Sequence, residues 1–177
     1  MSSSESNLKN NIRNFIQKEG ELLKEPEDPN CQFIFVFSYP KGRDPKTGKP
    51  IRPQFQLVNP KKGSIQMASR MVFNKKEINT LKSKNQFIKF QQTLRAICLS
   101  RDVNHEFLDE NSPKIKDGKP SFLISDRLSY PIDHTGFWKT LRHLYFTGLL
   151  IAGVIMNFLD KEPSDDKDFS SSPSLYM

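Results

Sequence analysis

The spacing of hydrophobic positions changes several times along the chain, and the changes mark out its elements. In residues 7–23, Leu8, Ile12, Phe15, Ile16, Leu22 and Leu23 fall partly at i, i+3, i+4 spacing, which predicts a short amphipathic helix. Glu25-Pro26-Glu27-Asp28-Pro29 ends it, because proline cannot continue a helix. Residues 1–30 therefore read as an N-terminal arm that docks on the body or on a neighbouring subunit. Residues 31–39, CQFIFVFSY, are aromatic and β-branched, the pattern of a strand buried on both faces. Phe33, Phe35 and Phe37 share one face by period two and are read as core. A turn-rich run over 40–53, containing Asp44-Pro45-Lys46-Thr47-Gly48, leads into an alternating strand at 54–58. Asn59-Pro60-Lys61-Lys62-Gly63 is a second turn, followed by a third strand over 64–74. Asn74 then caps a helix predicted over 75–94, whose middle at 82–86 is weakly patterned.

The second half follows a similar order. Residues 96–103 and 105–108 read as short strands, 111–120 as a loop, and 122–132 as a strand alternating at Phe122, Ile124 and Leu128. Asp133 caps a long helix over 137–159. RMVFNKKEINTL in the first half matches LSYPIDHTGFWKTL in the second in pattern, each a strand that ends in a capping residue and opens a helix. The expected fold is α+β: one or more antiparallel sheets packed against two main helices, with a strands-then-helix unit repeated. Residues 31–160 form a single domain in this reading. The acidic, serine-rich residues 161–177 are expected to be disordered.

Charge sharpens this picture more than composition does. The 177 residues carry 27 Lys/Arg and 20 Asp/Glu, a net of +7. Residues 31–100 alone hold 14 basic and 2 acidic side chains, a net of +12, while every other stretch is slightly acidic. A field so segregated attracts polyanions, namely nucleic acid, nucleoprotein or an anionic membrane surface. Lys41, Arg43, Lys46, Lys49 and Arg52 crowd the first turn, Lys61 and Lys62 the second, and Arg70, Lys75 and Lys76 extend the series. Such side chains track phosphates without reading bases. Tyr39 and Phe55 flank the first basic turn and are the candidates for stacking on bases.

Catalytic chemistry is poorly supplied. His105, His134 and His143 are the three histidines; nine residues of helix put the last two on opposite faces, and no pair has metal-ligand spacing with a carboxylate. Gly42-x5-Gly48-Lys49-Pro50 looks like a phosphate-binding loop but is one residue too long, and Pro50 stands where a magnesium ligand is needed. No Gly-x-Ser-x-Gly or Cys–His arrangement occurs. The expectation is a protein that is not an enzyme and needs neither metal nor cofactor. Cys31 and Cys98 sit in apolar surroundings and read as reduced, buried thiols. The N-terminus has neither an apolar signal core nor the arginines of a transit peptide, so a soluble, cytoplasmic or nuclear protein is expected. The uncharged run 144–159 falls short of the roughly 20 residues that span a bilayer. Its helix is read as core; Trp138, Tyr145 and Phe146 beside Lys139, Arg142 and His143 form the alternative, a face for membrane contact or self-association. Asp165, Asp166, Asp168 and Phe169 of the tail are placed to compete with nucleic acid for the basic stretch.

Over residues 31–159 the order of elements, the basic first half and the long apolar second helix resemble the Whirly proteins and the kinetoplastid guide-RNA-binding proteins. That resemblance implies a tetramer that binds single-stranded nucleic acid. The Whirly Lys-Gly-Lys-Ala-Ala-Leu motif is missing, with Lys61-Lys62-Gly63-Ser64-Ile65 no substitute, so no residue is carried over. The whole-chain profile also resembles the small matrix proteins of plant rhabdoviruses, the cytorhabdoviruses in particular, although no PPxY motif is present. This second resemblance implies a homo-oligomer that condenses ribonucleoprotein and touches membrane, in the host cytoplasm and the virion. It is preferred because it uses the arm, the basic face and the apolar helix together.

Overall fold

In a computed structural model the chain folds as α+β, and the structure describes residues 3–43, 45–46, 48, 53–113 and 117–159. The elements run α1 (Ser3–Glu19), β1 (Glu21–Lys24), β2 (Cys31–Ser38), β3 (Gln54–Pro60), β4 (Gln66–Val72), α2 (Lys75–Ser83), α3 (Phe87–Ser100), β5 (Asn104–Leu108), β6 (Ser121–Arg127) and α4 (His134–Phe158). The strands form one antiparallel sheet in the order β1-β2-β3-β4-β6-β5.

Register sorts the side chains. Phe35 faces Leu57, Leu57 faces Met67, and Phe37 faces Phe55, so the period-two phenylalanine row lies on one side of the sheet with Met71, Phe122 and Ile124. Val36, Gln56, Ala68, Ser125 and Asn104 form a row on the other side. The helices pack on the phenylalanine side. Phe137 of α4 meets Phe37, Lys9 and Arg13 of α1 stand over Phe35, and Phe90 of α3 meets Phe73. Ile78 and Leu81 of α2 join the same core. The strand–cap–helix order appears twice, at β4–Asn74–α2 and at β6–Asp133–α4.

Several boundaries differ from expectation, each for a physical reason. The first helix stops at Glu19, and Leu22 and Leu23 belong to β1 on the sheet edge. Gly20 makes this possible: a Cβ there would lie 2.3 Å from the Ser38 carbonyl oxygen. Ile12 and Ile16 are fully buried, so α1 docks on its own domain's body. The helix expected over 75–94 is two helices. Asn85 takes φ +55°, Asn85 N–H donates to Lys82 and Gln86 N–H to Leu81, a Schellman ending with asparagine in the left-handed position. The strand expected over 96–103 is instead the rest of α3, since Phe90, Leu94 and Cys98 continue one buried helical stripe. Asp102, at φ +52°, ends it in the same manner, with Val103 N–H donating to Cys98. Cys31, expected in the core, is half-buried at the start of β2. The expected tail, residues 161–177, lies outside the described residues.

Candidate polyanion-binding surface

The ladders decide which basic residues stand together. Ser38 pairs with Gln54, Val72 with Ser121, and Leu108 with Ser121, so the ends of β2, β4 and β5 and the starts of β3 and β6 share one end of the sheet. The segment between β2 and β3, with exposed Lys41, Arg43 and Lys46, lies at this end. So does the start of α2, with exposed Lys75 and Lys76. Lys61 and Lys62 follow Pro60 at the opposite end. Six residue steps of β3 separate the two ends by about 20 Å, more than twice the Debye length of about 8 Å in physiological salt. The fields of the two basic turns are therefore largely screened from one another, while a strand longer than that distance can touch both. Lys49 and Arg52 lie outside the described residues.

Individual side chains are further divided by their partners. Arg43 pairs through Nε and Nη2 with Glu21 of β1 and donates from Nη1 to the Gly48 carbonyl at 2.8 Å. Lys75 Nζ meets Glu110 at 2.5 Å, and this ammonium holds the Glu110 carboxyl below the usual carboxylate range. Arg70 is a correction to the candidate set. Its side chain is only 11% exposed and is spent on the β6 approach: Nη2 donates to Asp117 at 2.8 Å and to the Lys119 carbonyl, and Nε donates to Ser121 Oγ. The Asp117 carboxyl is lowered mainly by that guanidinium. An arginine so engaged braces the 117–121 segment and is not presented to a ligand.

Phe55 is a second correction. It is 1% exposed and stacks on Phe37 inside the core, so it offers no face to a base. The alternation of β3 at Phe55 and Leu57 already carried this signal. Tyr39 is half-buried and meets Trp138 and Tyr145 edge-on at 5.2 and 5.1 Å; burial pushes its hydroxyl pKa up. It therefore belongs to the α4 aromatic group. There Tyr145 contacts Phe146, and the Arg142 guanidinium lies 5.6 Å from the rings of both Trp138 and Phe146. Phe146, Leu149 and Leu150 are 45%, 39% and 48% exposed, an apolar stripe on the outer face of α4. The inner face, with Phe137, Leu141, Leu144, Ile151 and Ile155, is core. At 25 residues, α4 is long and apolar enough to cross a membrane by length and composition, although a third of its most apolar window is buried in the domain.

Besides Lys75 and Lys76, already candidates from the sequence, the α2–α3 pair holds functional candidates that the sequence pattern did not reveal. Residues 75–101 contain seven basic side chains and one acidic one, Glu77. Lys75, Lys76, Lys82, Lys84, Lys89 and Arg95 are all exposed. Between these helices, β5 and the 109–111 turn runs a cleft of about 550 Å³, lined in part by Lys75, Lys82, Phe87, Arg95 and Phe107. The Phe87 and Phe107 rings meet edge-to-face at 5.6 Å, and Phe107 stacks on Phe73 behind it. The Lys82 ammonium stands 5.4 Å from the Phe87 ring centre. Reading 75–94 as one helix hid this arrangement, because the break at Asn85 is what folds α3 back beside α2. Among the described residues no three His, Cys, Asp or Glu side chains cluster to hold a metal ion.

Comparison with known proteins gives a fold and no function. No family model matches the chain, and no curated protein matches it. It is similar to the crystal structure of an uncharacterized protein from Methanothermobacter thermautotrophicus, with a TM-score of 0.64 and 15% sequence identity, over 82% of this chain and 94% of that one.

Proposed function

We propose that this is a non-enzymatic, self-associating protein that binds nucleic acid or ribonucleoprotein through the basic end of its sheet. One observation carries the reading. The α2–α3 pair and its link, residues 75–100, carry six exposed cations against one acid, Glu77, at the sheet end that the Lys41–Lys46 region also reaches on the β1 side, where Arg43 pairs with Glu21. Chain so basic on exposed helix faces gains affinity by releasing the counterions of a phosphate backbone. A second reading, the matrix-type role, adds contact with an anionic membrane. It is favoured by the exposed Phe146, Leu149 and Leu150 beside Arg142 and the nearby Lys139, apolar and cationic groups that suit a headgroup boundary.

Both parts are tested by titrating a fluorescent single-stranded RNA and anionic liposomes with the full chain, followed by sizing with and without RNA. The proposal expects RNA binding that falls steeply with salt and assembly that grows with protein concentration. Liposome binding that Phe146→Asp abolishes supports the membrane contact. A protein that ignores liposomes and binds RNA as a closed tetramer contradicts the matrix-type role and favours the Whirly-like one. No RNA binding at low salt contradicts the proposal as a whole.

A further inference from the structure

We infer that the cleft between α2, α3 and β5 holds one nucleotide of a bound single strand, its base against Phe87 and its phosphate between Lys82 and Arg95. This rests on the nucleic-acid reading above and deepens it. Polyanion binding by itself needs cations alone; it gives no reason for an aromatic wall. Here the wall and the cations occur together, in a cleft that Asp109 and Glu110 also line, Glu110 being paired with Lys75. Phe87 and Phe107 are both partly exposed in the cleft, and Phe107 is backed by Phe73, which fixes the wall. Lys82 stands over the Phe87 ring, so a cation and a π-face already share one small volume. A nucleotide satisfies both groups at once: the base stacks on the ring, and the ammonium moves to the phosphate. Arg95 lines the same cleft from the next helix and supplies a forked donor for phosphate oxygens. Lys75 at the rim is held by Glu110 and is the weaker contributor. A volume of about 550 Å³ lies within the range of small-molecule sites and accommodates one nucleotide, with the strand continuing over the exposed Lys76 and Lys89. Stacking of this kind is tolerant of sequence.

The test compares a single-stranded oligonucleotide with an abasic strand of the same length, which keeps every phosphate and loses every base. The wild-type protein is expected to bind the base-bearing strand about 5- to 100-fold more tightly. Phe87→Ala, checked for folding by circular dichroism, is expected to remove that difference while keeping the affinity for the abasic strand. Should Phe87→Ala fail to fold, Phe87→Leu, which keeps the apolar bulk and loses the π-face, serves in its place, with the difference between the strands expected to shrink and the affinity for the abasic strand to stay. Equal affinity of the wild type for the two strands would overturn the inference and leave the polyanion reading standing. Failure to bind either strand defeats that reading itself. A mononucleotide titrated alongside separates the two sources of the same chemistry. Much weaker binding of the mononucleotide supports a strand; binding as tight as the oligonucleotide assigns the cleft to free nucleotides and overturns the strand.

Discussion

Phe55 and Tyr39 flank the same basic segment in sequence, yet their environments differ because strand parity differs from sequence proximity. Phe55 shares a face with Leu57 and is swallowed by the core, while Tyr39, one step past β2, leans on α4. Some polar side chains brace the fold. Glu25 shows the point. It accepts from Arg13 at 2.7 Å and lies 3.3 Å from Lys9, tying α1 to the segment after β1. The Arg13 hydrogen bond, partly offset by desolvation, holds the Glu25 carboxyl below its ordinary range. A carboxyl with a depressed folded-state pKa stabilises above its unfolded pKa, and the contribution is lost as pH falls through the folded value. Glu25→Gln should therefore lower the urea midpoint at pH 7 modestly, given the partial exposure of the pair, and the gap to wild type should close as pH falls through the lowered folded-state value. An unchanged gap across that window would show that the carboxylate's charge plays no part. The thiols fit the same logic of environment: burial alone pushes Cys98 up to about 11, where it stays a protonated core residue at neutral pH.

Among the elements, those with a strong period were legible in the sequence. The phenylalanine row of β2, the alternation of β3 and the caps Asn74 and Asp133 all lie where local chemistry put them. What the sequence concealed were the places where tertiary packing overrides a local pattern. Leu22 and Leu23 continue an apolar run, but the close approach of Gly20 to Ser38 turns the chain into a strand. Ala96 to Ser100 is short and apolar, and only its phase with Phe90 and Leu94 reveals helix. The α2–α3 break depends on an asparagine at positive φ, a signal weaker than glycine. The docking of α1 has a direct energetic consequence. Ile16→Ala deletes a fully buried side chain and should destabilise the domain by about 2–5 kcal/mol, measured by urea unfolding. A loss under about 0.5 kcal/mol would mean that α1 detaches from the body in solution.

For the molecule as a whole, the sequence placed the positive charge correctly in one stretch but could not say how the stretch folds. Folding divides it: one basic turn goes to each end of the sheet, Arg70 is consumed by Asp117, and the α2–α3 pair becomes the largest exposed group of cations among the described residues. The remaining surface has a different character, with the apolar stripe of α4 next to Tyr39 at the base of the β2–β3 segment. On the proposed function, phosphate binding belongs to the sheet end bearing Lys41 and α2–α3, not to the Lys61–Lys62 turn. It is tested most directly by the salt dependence of single-stranded RNA affinity in two variants. Neutralising Lys41, Lys76 and Lys82 to glutamine should flatten the log–log salt slope by about 2, at roughly 0.7 for each phosphate that is no longer neutralised. Neutralising Lys61 and Lys62 should leave that slope unchanged. The opposite result, with the Lys61–Lys62 variant flattened and the triple variant unaltered, would place phosphate binding at the Lys61–Lys62 turn instead.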